Sequence, residues 1–188
     1  LKERWPEVTA ELGVPETVRA EELSLDQWES LTGIARPAVA QSGAEMFDVV
    51  DDNDVVLRSE PREIVHVNNL MHRAAHMLIF NKNGDLLLQK RSIWKDRNPG
   101  RWDSSAAGHV DSGEDYLTAA QRELREELGI EVPALQSIGK LTPCEQTGWE
   151  FIEVFRGVHE GPFRPAPLEV ETAAFFRRED VMRWAARS

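Results

Sequence analysis

The chain has 188 residues, of which 41% are hydrophobic and 29% charged, a balance typical of a soluble globular protein. Its formal net charge of −11 argues against a nucleic-acid polymer as partner, because such binding requires basic side chains that neutralise phosphates. No apolar run approaches the ~18 residues of a membrane span, and the charged start Leu1-Lys2-Glu3-Arg4 does not resemble a signal peptide. Cys144 is the only cysteine, which excludes a disulfide framework. We therefore expect a cytoplasmic protein that binds neither nucleic acid nor membrane.

Residues 1–44 differ in pattern from the rest of the chain. Short helices are predicted at Pro6–Leu12 and Leu25–Leu31, each ending before a glycine that favours termination. Pro37 then indicates a linker, and no residue pattern in this part of the chain points to chemistry. We predict a helical N-terminal extension over residues 1–44 and a single larger domain over residues 45–188.

The larger domain begins with patterns typical of strands. Phe47–Val50 and Val55–Leu57 flank a polar turn and predict a hairpin. His76–Phe80 and Asp85–Lys90 predict a second hairpin, because the intervening Asn83-Gly84 suits the positive φ of a tight turn. Three more strands and a final helix are predicted farther along: Ile138–Leu141, Phe151–Phe155, Ala173–Phe176 and the helix Glu179–Ala186. This mixture indicates an α/β fold.

The strongest predicted helix is Asp115–Leu128, which Gly129 terminates. At 100° per residue, Glu123, Glu126 and Glu127 share one face of this helix. Like charges at these spacings repel by about a few tenths of a kcal/mol per pair, so stability alone does not favour them. The hydrophobic side chains predict an apolar stripe on another side of the helix: Leu117, Leu124 and Leu128. The acidic face is either solvated or a site for a hard divalent cation such as Mg²⁺ or Mn²⁺.

Residues 108–130 resemble the Nudix box, whose pattern is G-x5-E-x7-R-E-U-x-E-E-x-G-U, where U is an aliphatic residue. All the fixed positions of that pattern are occupied: Gly108, Glu114, Arg122, Glu123, Leu124, Glu126, Glu127, Gly129 and Ile130. At background frequencies of roughly one in ten or rarer per position, a chance match falls below about one in ten million. The resemblance extends from about Glu45 to the C-terminus, and it implies a Nudix α/β/α sandwich with a mixed β-sheet.

The Nudix resemblance also implies a function. Such enzymes use Mg²⁺ or Mn²⁺ to hydrolyse a diphosphate linkage in small molecules of the type nucleoside diphosphate–X. The resemblance assigns metal binding to Glu123, Glu126 and Glu127 together with the carbonyl of Gly108, and it assigns to Arg122 the orientation of a glutamate. Arg122, Glu123 and Glu126 are therefore the expected catalytic residues. A homodimer is the default expectation for this family, and the N-terminal extension is one segment that could form its contact.

A second resemblance is to isopentenyl diphosphate isomerase and its hydrolase-like relatives. It rests on residues 86–95 (Leu-Leu-Leu-Gln-Lys-Arg-Ser-Ile-Trp-Lys), residues 99–102 (Pro-Gly-Arg-Trp) and residues 108–109 (Gly-His). The resemblance implies that Arg91 and Lys95 bind the diphosphate of the substrate. Two cations spaced four residues apart just after a strand suit that role, although surface cations on a loop are the alternative.

The chain departs from the isomerase at the residues that carry isomerisation. Ala107 stands where the isomerase has its catalytic cysteine, and Gly148 stands where it has one of two metal-binding glutamates, the other matching Glu150. Val65 occupies one metal-binding histidine position, so His66 is one residue out of register. We therefore expect hydrolysis rather than isomerisation, with three further histidines as buried or loop residues rather than ligands: His72, His76 and His109.

The general base is not defined by the Nudix box itself. Glu169 and Glu171 precede a predicted strand, roughly where some relatives carry such a residue, and Glu145 and Glu150 are weaker candidates. A polar loop without catalytic function is the alternative for each of them. At the level of the whole protein, the alternative to an enzyme is a ligand-sensing module that has kept the fold and lost turnover.

Overall fold

The computed structural model describes residues 5–19, 22–24, 27, 45–95 and 97–186. Backbone contacts divide the chain into two compact units, Leu1–Val39 and Ala40–Ser188. In the first unit, helix α1 spans Trp5–Leu12, which confirms the first predicted helix. The second predicted helix, Leu25–Leu31, lies outside the described residues apart from position 27, and the Pro37 linker lies outside them entirely. None of the helices in the described part of the chain combines the length and hydrophobicity that a bilayer span requires.

The second unit contains nine strands and three helices among its described residues. They are, in chain order, β1 (Met46–Val50), β2 (Val56–Pro61), α2 (Arg62–Val67), β3 (His72–Phe80), β4 (Leu86–Arg91), β5 (Trp102–Asp103), β6 (Ala106–His109), α3 (Tyr116–Leu128), β7 (Gln136–Leu141), β8 (Glu150–Val158), β9 (Val170–Phe176) and α4 (Arg178–Ala185). Strands β1 and β2 form a separate hairpin, while the other seven strands form one sheet. Within that sheet β3 and β8 are parallel and the remaining pairs are antiparallel. This mixed sheet with helices is the α/β architecture that the sequence predicted.

The connection between β3 and β4 differs from the predicted hairpin. The turn forms as expected, with Gly84 at φ +83°, but the two strands pair only at Phe80 and Leu86. Beyond that point β3 pairs with β8 and β6, whereas β4 pairs with β9 and β5. Ser105 bridges the divergent strands, since its hydroxyl accepts from the Ile79 amide at 2.7 Å and donates to the Leu87 carbonyl at 2.6 Å. The partners of each strand are distant in sequence, which is why local patterns could not predict this divergence.

Helix α3 packs against one face of the large sheet. Asp115 caps its start by accepting from the Thr118 amide at 2.8 Å, and Gly129 ends it in the left-handed conformation at φ +64°. Leu124 and Leu128 are fully buried, but Leu117 in the first turn is 43% exposed. The predicted apolar stripe was therefore wrong at Leu117. The main core forms between this helix and the sheet and includes these fully buried residues: Ala75, Met77, Ile79, Leu87, Ala106, Ala120, Leu124 and Leu128.

Candidate active site

Strand β6 and helix α3 meet at Gly108, where backbone and carboxylate are in direct contact. A Cβ atom at this position would lie 2.0 Å from Cδ and Oε1 of Glu123, so only glycine allows this approach. Pairing with β3, in which Gly108 lies opposite Ala75, holds the strand in place. The sheet therefore presents the Gly108 backbone directly against the first glutamate of the acidic helix face.

Arg122 joins the loop before α3 to the acidic face of the helix. Its Nη2 donates to the His109 carbonyl and to Glu114 Oε2, both at 2.9 Å. Its Nη1 donates to Glu123 Oε1 at 2.6 Å and to Glu126 Oε2 at 3.2 Å. A guanidinium offers five N–H donors in a fixed plane, so it can hold several carboxylates in one arrangement. The structure thus brings together Arg122, Glu123 and Glu126, the residues that the sequence predicted as catalytic.

The same loop is held from its other side by the β1–β2 hairpin. Asp48, which is 8% exposed, accepts from the Ser112 hydroxyl at 2.7 Å and from the Gly113 amide at 3.1 Å. These hydrogen bonds keep the pKa of Asp48 below its usual value although burial acts to raise it. No local sequence pattern identifies Asp48 as part of this site, because its partners, Ser112 and Gly113, lie more than sixty residues farther along the chain.

The carboxylates on α3 differ sharply in their environments. Burial raises the pKa of Glu123 to about 8, and the neighbouring charge of Glu127 adds to the effect, while Arg122 opposes it. Burial likewise raises the pKa of Glu127 to about 7, although Lys95 opposes that rise. Glu126 is more open, with 57% of its side chain exposed. The cations near these two carboxylates therefore do not fully compensate for their loss of solvation.

The two oxygens of Glu127 have different partners. Oε2 accepts from Gln89 Nε2 at 2.9 Å and from the Ala107 amide at 3.2 Å. Oε1 is buried without a hydrogen-bond partner among the described residues, and it lies 3.7 Å from Lys95 Nζ. Buried acceptors are nearly always satisfied, so this oxygen suits an additional cation. Oxygen donors are the type of ligand that fits Mg²⁺ or Mn²⁺, and the four residues predicted to bind such an ion all line one cavity at this position: Gly108, Glu123, Glu126 and Glu127.

The two cations predicted to bind substrate both border this region. Lys95 is only 5% exposed, and its ammonium forms an ion pair with Glu169 in addition to its approach to Glu127. Arg91 forms an ion pair with Asp103 at 3.2 Å. The structure therefore places Lys95 inside the acidic cluster rather than on an exposed loop surface. Both side chains line a cavity that adjoins the carboxylates.

Two adjoining cavities share part of their walls. The smaller, of about 240 Å³, lies over the carboxylates of α3 and is also lined by Glu169. The larger, of about 540 Å³, is lined by cations on one side and by the loop before β8 on another. Both cavities are bordered by the same five residues: Arg62, Lys95, Ala107, Gly108 and His109. A ligand in the larger cavity can therefore extend into the smaller cavity beside the carboxylate cluster.

A histidine cluster lies on the other side of Gly108. His66 from α2, His72 from β3 and His109 from β6 each offer a ring nitrogen, and these atoms lie within 4.8 Å of one another. Glu150 Oε1 lies 3.5 Å from His72 Nε2 and 3.3 Å from His109 Nε2, and the Phe47 ring stacks against the His109 ring at 4.5 Å. These four polar side chains could hold a cation, with imidazole nitrogens as the main donors.

The position of His66 in this cluster was not predicted from the sequence. Its register was displaced by one residue from the isomerase pattern, and helix α2, which carries it, has only six residues. A helix this short gives almost no periodic signal. His72 is buried, whereas His109 is partly buried and lines the larger cavity together with His76.

Proton affinities in the histidine cluster are shifted in the opposite direction to those of the carboxylates. Burial and the neighbouring imidazoles lower the pKa of His66 to about 3, and burial also lowers the pKa of His109. For Glu150 burial acts to raise the pKa, but hydrogen bonds from His109 and His72 hold it well below its usual range. The cluster therefore combines two imidazoles of lowered pKa, those of His66 and His109, with one ionised carboxylate.

The structure also separates the candidate bases. Glu169 lines the smaller cavity beside the α3 carboxylates, whereas Glu171 on β9 forms an ion pair with Lys90 at 2.7 Å. Glu145 and Glu150 line the larger cavity. Ala107 lies in the walls of both cavities and provides no titratable group at the position of the isomerase cysteine.

Comparison with known proteins agrees with this geometry. The NUDIX domain matches residues 70–188. An uncharacterized Nudix hydrolase of Pseudomonas aeruginosa is 38% identical over 140 residues, which are 74% of this chain and 83% of that protein. An isopentenyl-diphosphate Delta-isomerase of Serratia proteamaculans is 36% identical over 133 residues, covering 68% and 74% of the two chains. The crystal structure of DR0079 from Deinococcus radiodurans has a TM-score of 0.67 at 24% identity over 77% of this chain and 90% of that one, which shows the same fold.

The matched region contains the carboxylates, Arg122 and the sheet that supports them, whereas Asp48 and His66 come from residues before it. The relatives include both hydrolases and isomerases, as the two resemblances in the sequence predicted. The residues of the box, their convergence beside a cavity and these matches together show that the chain belongs to the Nudix family and is a hydrolase of that family.

Proposed function

We propose that this protein is a divalent-metal-dependent hydrolase that cleaves a diphosphate linkage in a small molecule of the type nucleoside diphosphate–X. The observation that carries the proposal is the carboxylate cluster itself. Glu123 and Glu127 are buried with raised pKa values, and Glu127 Oε1 has no hydrogen-bond partner among the described residues. A cation bound there would offset these charges, and an adjoining cavity of about 540 Å³ can receive the rest of the substrate.

Glu123, Glu126, Glu127 and the Gly108 carbonyl would hold Mg²⁺ or Mn²⁺. When bound, such an ion neutralises diphosphate charge and lowers the pKa of a coordinated water. Arg122 fixes the orientation of Glu123 and Glu126 through its Nη1 donors. Arg91, which lines the larger cavity, is placed to bind a phosphate of the substrate.

Lys95 has two functions in this proposal. In the absence of substrate its ammonium pairs with Glu169 and approaches Glu127. Because it also borders both cavities, it can bind a substrate phosphate that enters between them. Its buried position makes the charge effective, since little solvent screens it.

Glu169 is the candidate general base that this geometry favours over Glu171. Its carboxylate lines the smaller cavity, where it can accept a proton from a water molecule near the α3 glutamates. A general base must lie within hydrogen-bond reach of the proton it accepts. Glu171 instead pairs with Lys90 away from that cavity.

Isopentenyl diphosphate isomerisation is the second candidate. The histidine cluster with Glu150 favours it, and so do the isomerase relatives. Against it, Ala107 cannot transfer a proton, and the complete set of Nudix glutamates supports hydrolysis. A ligand-sensing module without turnover is the third candidate, and its binding function would not require so many mutually repelling carboxylates.

The proposal extends to the organisation and setting of the protein. We assign hydrolysis to residues 45–188, with residues 1–44 as an extension, and the NUDIX match over residues 70–188 supports the first of these assignments. A cytoplasmic location and a homodimer stay predictions, supported by the composition of the chain and by the family resemblance respectively.

A product-release screen tests the proposed function. The purified protein would be incubated with nucleoside diphosphate compounds and isopentenyl diphosphate, each with Mg²⁺, with Mn²⁺ and with EDTA. We expect hydrolysis of one compound class that EDTA abolishes. Isomerisation without phosphate chemistry, or tight ligand binding without product, would instead support the second or the third candidate.

A further inference from the structure

Gln89 is a polar side chain that is fully buried at the end of the helix–sheet core. It lies two residues after Leu87, so both side chains point from β4 towards α3. Both are 0% exposed. Burying an amide is costly unless its donors and acceptors are paired. Gln89 Nε2 donates to Glu127 Oε2 at 2.9 Å, but Gln89 Oε1 has no hydrogen-bond partner among the described residues.

Half of this amide is therefore unsatisfied, and an apolar residue of the same size would fill the space without that cost. Stability alone does not explain a glutamine here. The contact that it does make is with a predicted metal ligand, and it falls on one oxygen of that ligand only. This selectivity is the informative feature.

We propose that Gln89 is a positioning residue for Glu127, holding Oε2 so that Oε1 faces the divalent cation. The inference rests on the metal site of the proposed function. With the Ala107 amide at 3.2 Å, Gln89 supplies the second of two neutral donors to Oε2. The plane of the carboxylate is then fixed about its Cγ–Cδ bond, because a quarter-turn would give up both hydrogen bonds, whereas a half-turn only exchanges the two equivalent oxygens. Oε1 is left for the cation.

A neutral donor is the only type of group that serves this purpose. A carboxylate in place of Gln89 would repel Glu127, and an ammonium would add a second positive charge to that of Lys95, whose Nζ already lies 3.7 Å from Glu127 Oε1. An apolar side chain would leave the Ala107 amide, at the longer distance of 3.2 Å, as the sole donor to Glu127 Oε2 among the described residues. Groups behind a metal ligand fix its orientation, and their loss typically weakens metal affinity ~10–100-fold.

The test measures Mn²⁺ binding to the intact, substrate-free protein through the electron paramagnetic resonance signal of free Mn²⁺. Gln89→Met keeps the size of the side chain and removes the donor. We expect its Mn²⁺ dissociation constant to rise ~10-fold or more. We also expect unchanged or higher thermal stability in EDTA, because the unsatisfied Gln89 Oε1 is lost. Gln89→Leu serves the same purpose if the methionine variant does not fold.

Ser105→Ala is the matched control. Ser105, between β5 and β6, is also fully buried, and among the described residues its hydroxyl forms hydrogen bonds only with backbone groups of β3 and of β4. We expect lower thermal stability in this variant with unchanged Mn²⁺ affinity, the opposite of the pattern for Gln89→Met. A merely structural role for Gln89 would instead make the two variants behave alike.

The variant Glu127→Gln distinguishes failure of the positioning role of Gln89 from failure of the metal site itself. If Glu127→Gln weakens Mn²⁺ binding at least tenfold while Gln89→Met binds as the unaltered protein does, the positioning role is wrong and the metal site stands. If neither variant changes the affinity, the metal site itself is wrong and the positioning role is lost with it. Weakened binding in both, with normal binding in Ser105→Ala, supports the inference.

Discussion

Two clusters of titratable side chains lie on either side of β6. Burial raises the pKa of glutamates in one cluster and lowers the pKa of histidines in the other. On the α3 side, Glu123 and Glu127 have pKa values raised to about 8 and about 7. On the other side, the pKa of His66 is lowered to about 3, and Glu150 stays ionised between His72 and His109. Successive residues of a strand face opposite sides, so Gly108 adjoins the first cluster while His109 belongs to the second.

The two clusters offer different types of ligand to a cation. Burial keeps the pKa values of Glu123 and Glu127 raised despite the nearby Arg122 and Lys95, and Glu127 Oε1 has no hydrogen-bond partner in the described part of the chain. The histidine cluster also contains buried atoms without a hydrogen-bond partner among the described residues, namely Nε2 of His66, His72 and His109, but it offers mainly nitrogen donors around a single carboxylate. Oxygen ligands suit Mg²⁺ and Mn²⁺, whereas imidazoles suit later transition metals better. Hydrolysis with Mg²⁺ should therefore depend on the first cluster.

The largest effect should follow from removing a carboxylate charge. Glu126→Gln and Glu127→Gln should each lower turnover by more than ~100-fold, because loss of a metal ligand exceeds the loss of a group behind it. Steady-state rates with Mg²⁺, together with circular dichroism to show an intact fold, would measure this. The control is Glu131→Gln, an exposed glutamate just after the same helix. Normal rates in both variants would remove the carboxylate cluster from the reaction.

A smaller effect should follow from removing the buried cation. Lys95→Ala should raise KM or lower kcat by ~10-fold or more for a diphosphate substrate, because it removes a charge-assisted phosphate contact. Lys90→Ala is the matched control, since Lys90 pairs with Glu171 and is 33% exposed. Equal kinetic constants for Lys95→Ala and the unaltered protein would exclude Lys95 from the site.

The two clusters also differ in how far the sequence could predict them. The α3 carboxylates are contiguous, so their shared face follows from helical geometry, and the caps Asp115 and Gly129 mark the ends of the helix. The histidines come from three separate elements whose contact depends on strand pairing and on the short helix α2. The sequence gives only a weak indication that Gln89 is buried: it is a polar residue two positions after the buried Leu87 on the same strand. Its partner Glu127 lies 38 residues away, and no local pattern connects the two.

The acidic cluster should also make the metal-free protein less stable as the pH rises. The folded pKa of Glu123 is about 8, above its ordinary value of 4.5. Between these values the folded state holds more protons than the unfolded state, so stability falls with rising pH. We expect Glu123→Gln in EDTA to lose less melting temperature than the unaltered protein on going from about pH 5 to about pH 8, by ~3–8 °C. If the melting temperatures of the two proteins change equally with pH over that range, burial of this carboxylate is not destabilising.

The histidine cluster should give the opposite and smaller pH dependence. The folded pKa of His66 is about 3, below its ordinary value of 6.5, so the unfolded state binds the proton first and stability falls as the pH drops below about 6.5. His66→Gln should reduce this loss by ~1–3 °C in melting temperature near pH 5, because one fewer imidazole of lowered pKa then remains in the cluster. The effect is smaller because His66 is less enclosed than the two glutamates. A variant that instead loses more stability in acid would mean that the folded cluster takes up a proton and shares it with Glu150, and the contrast between a charged and a neutral cluster would no longer hold.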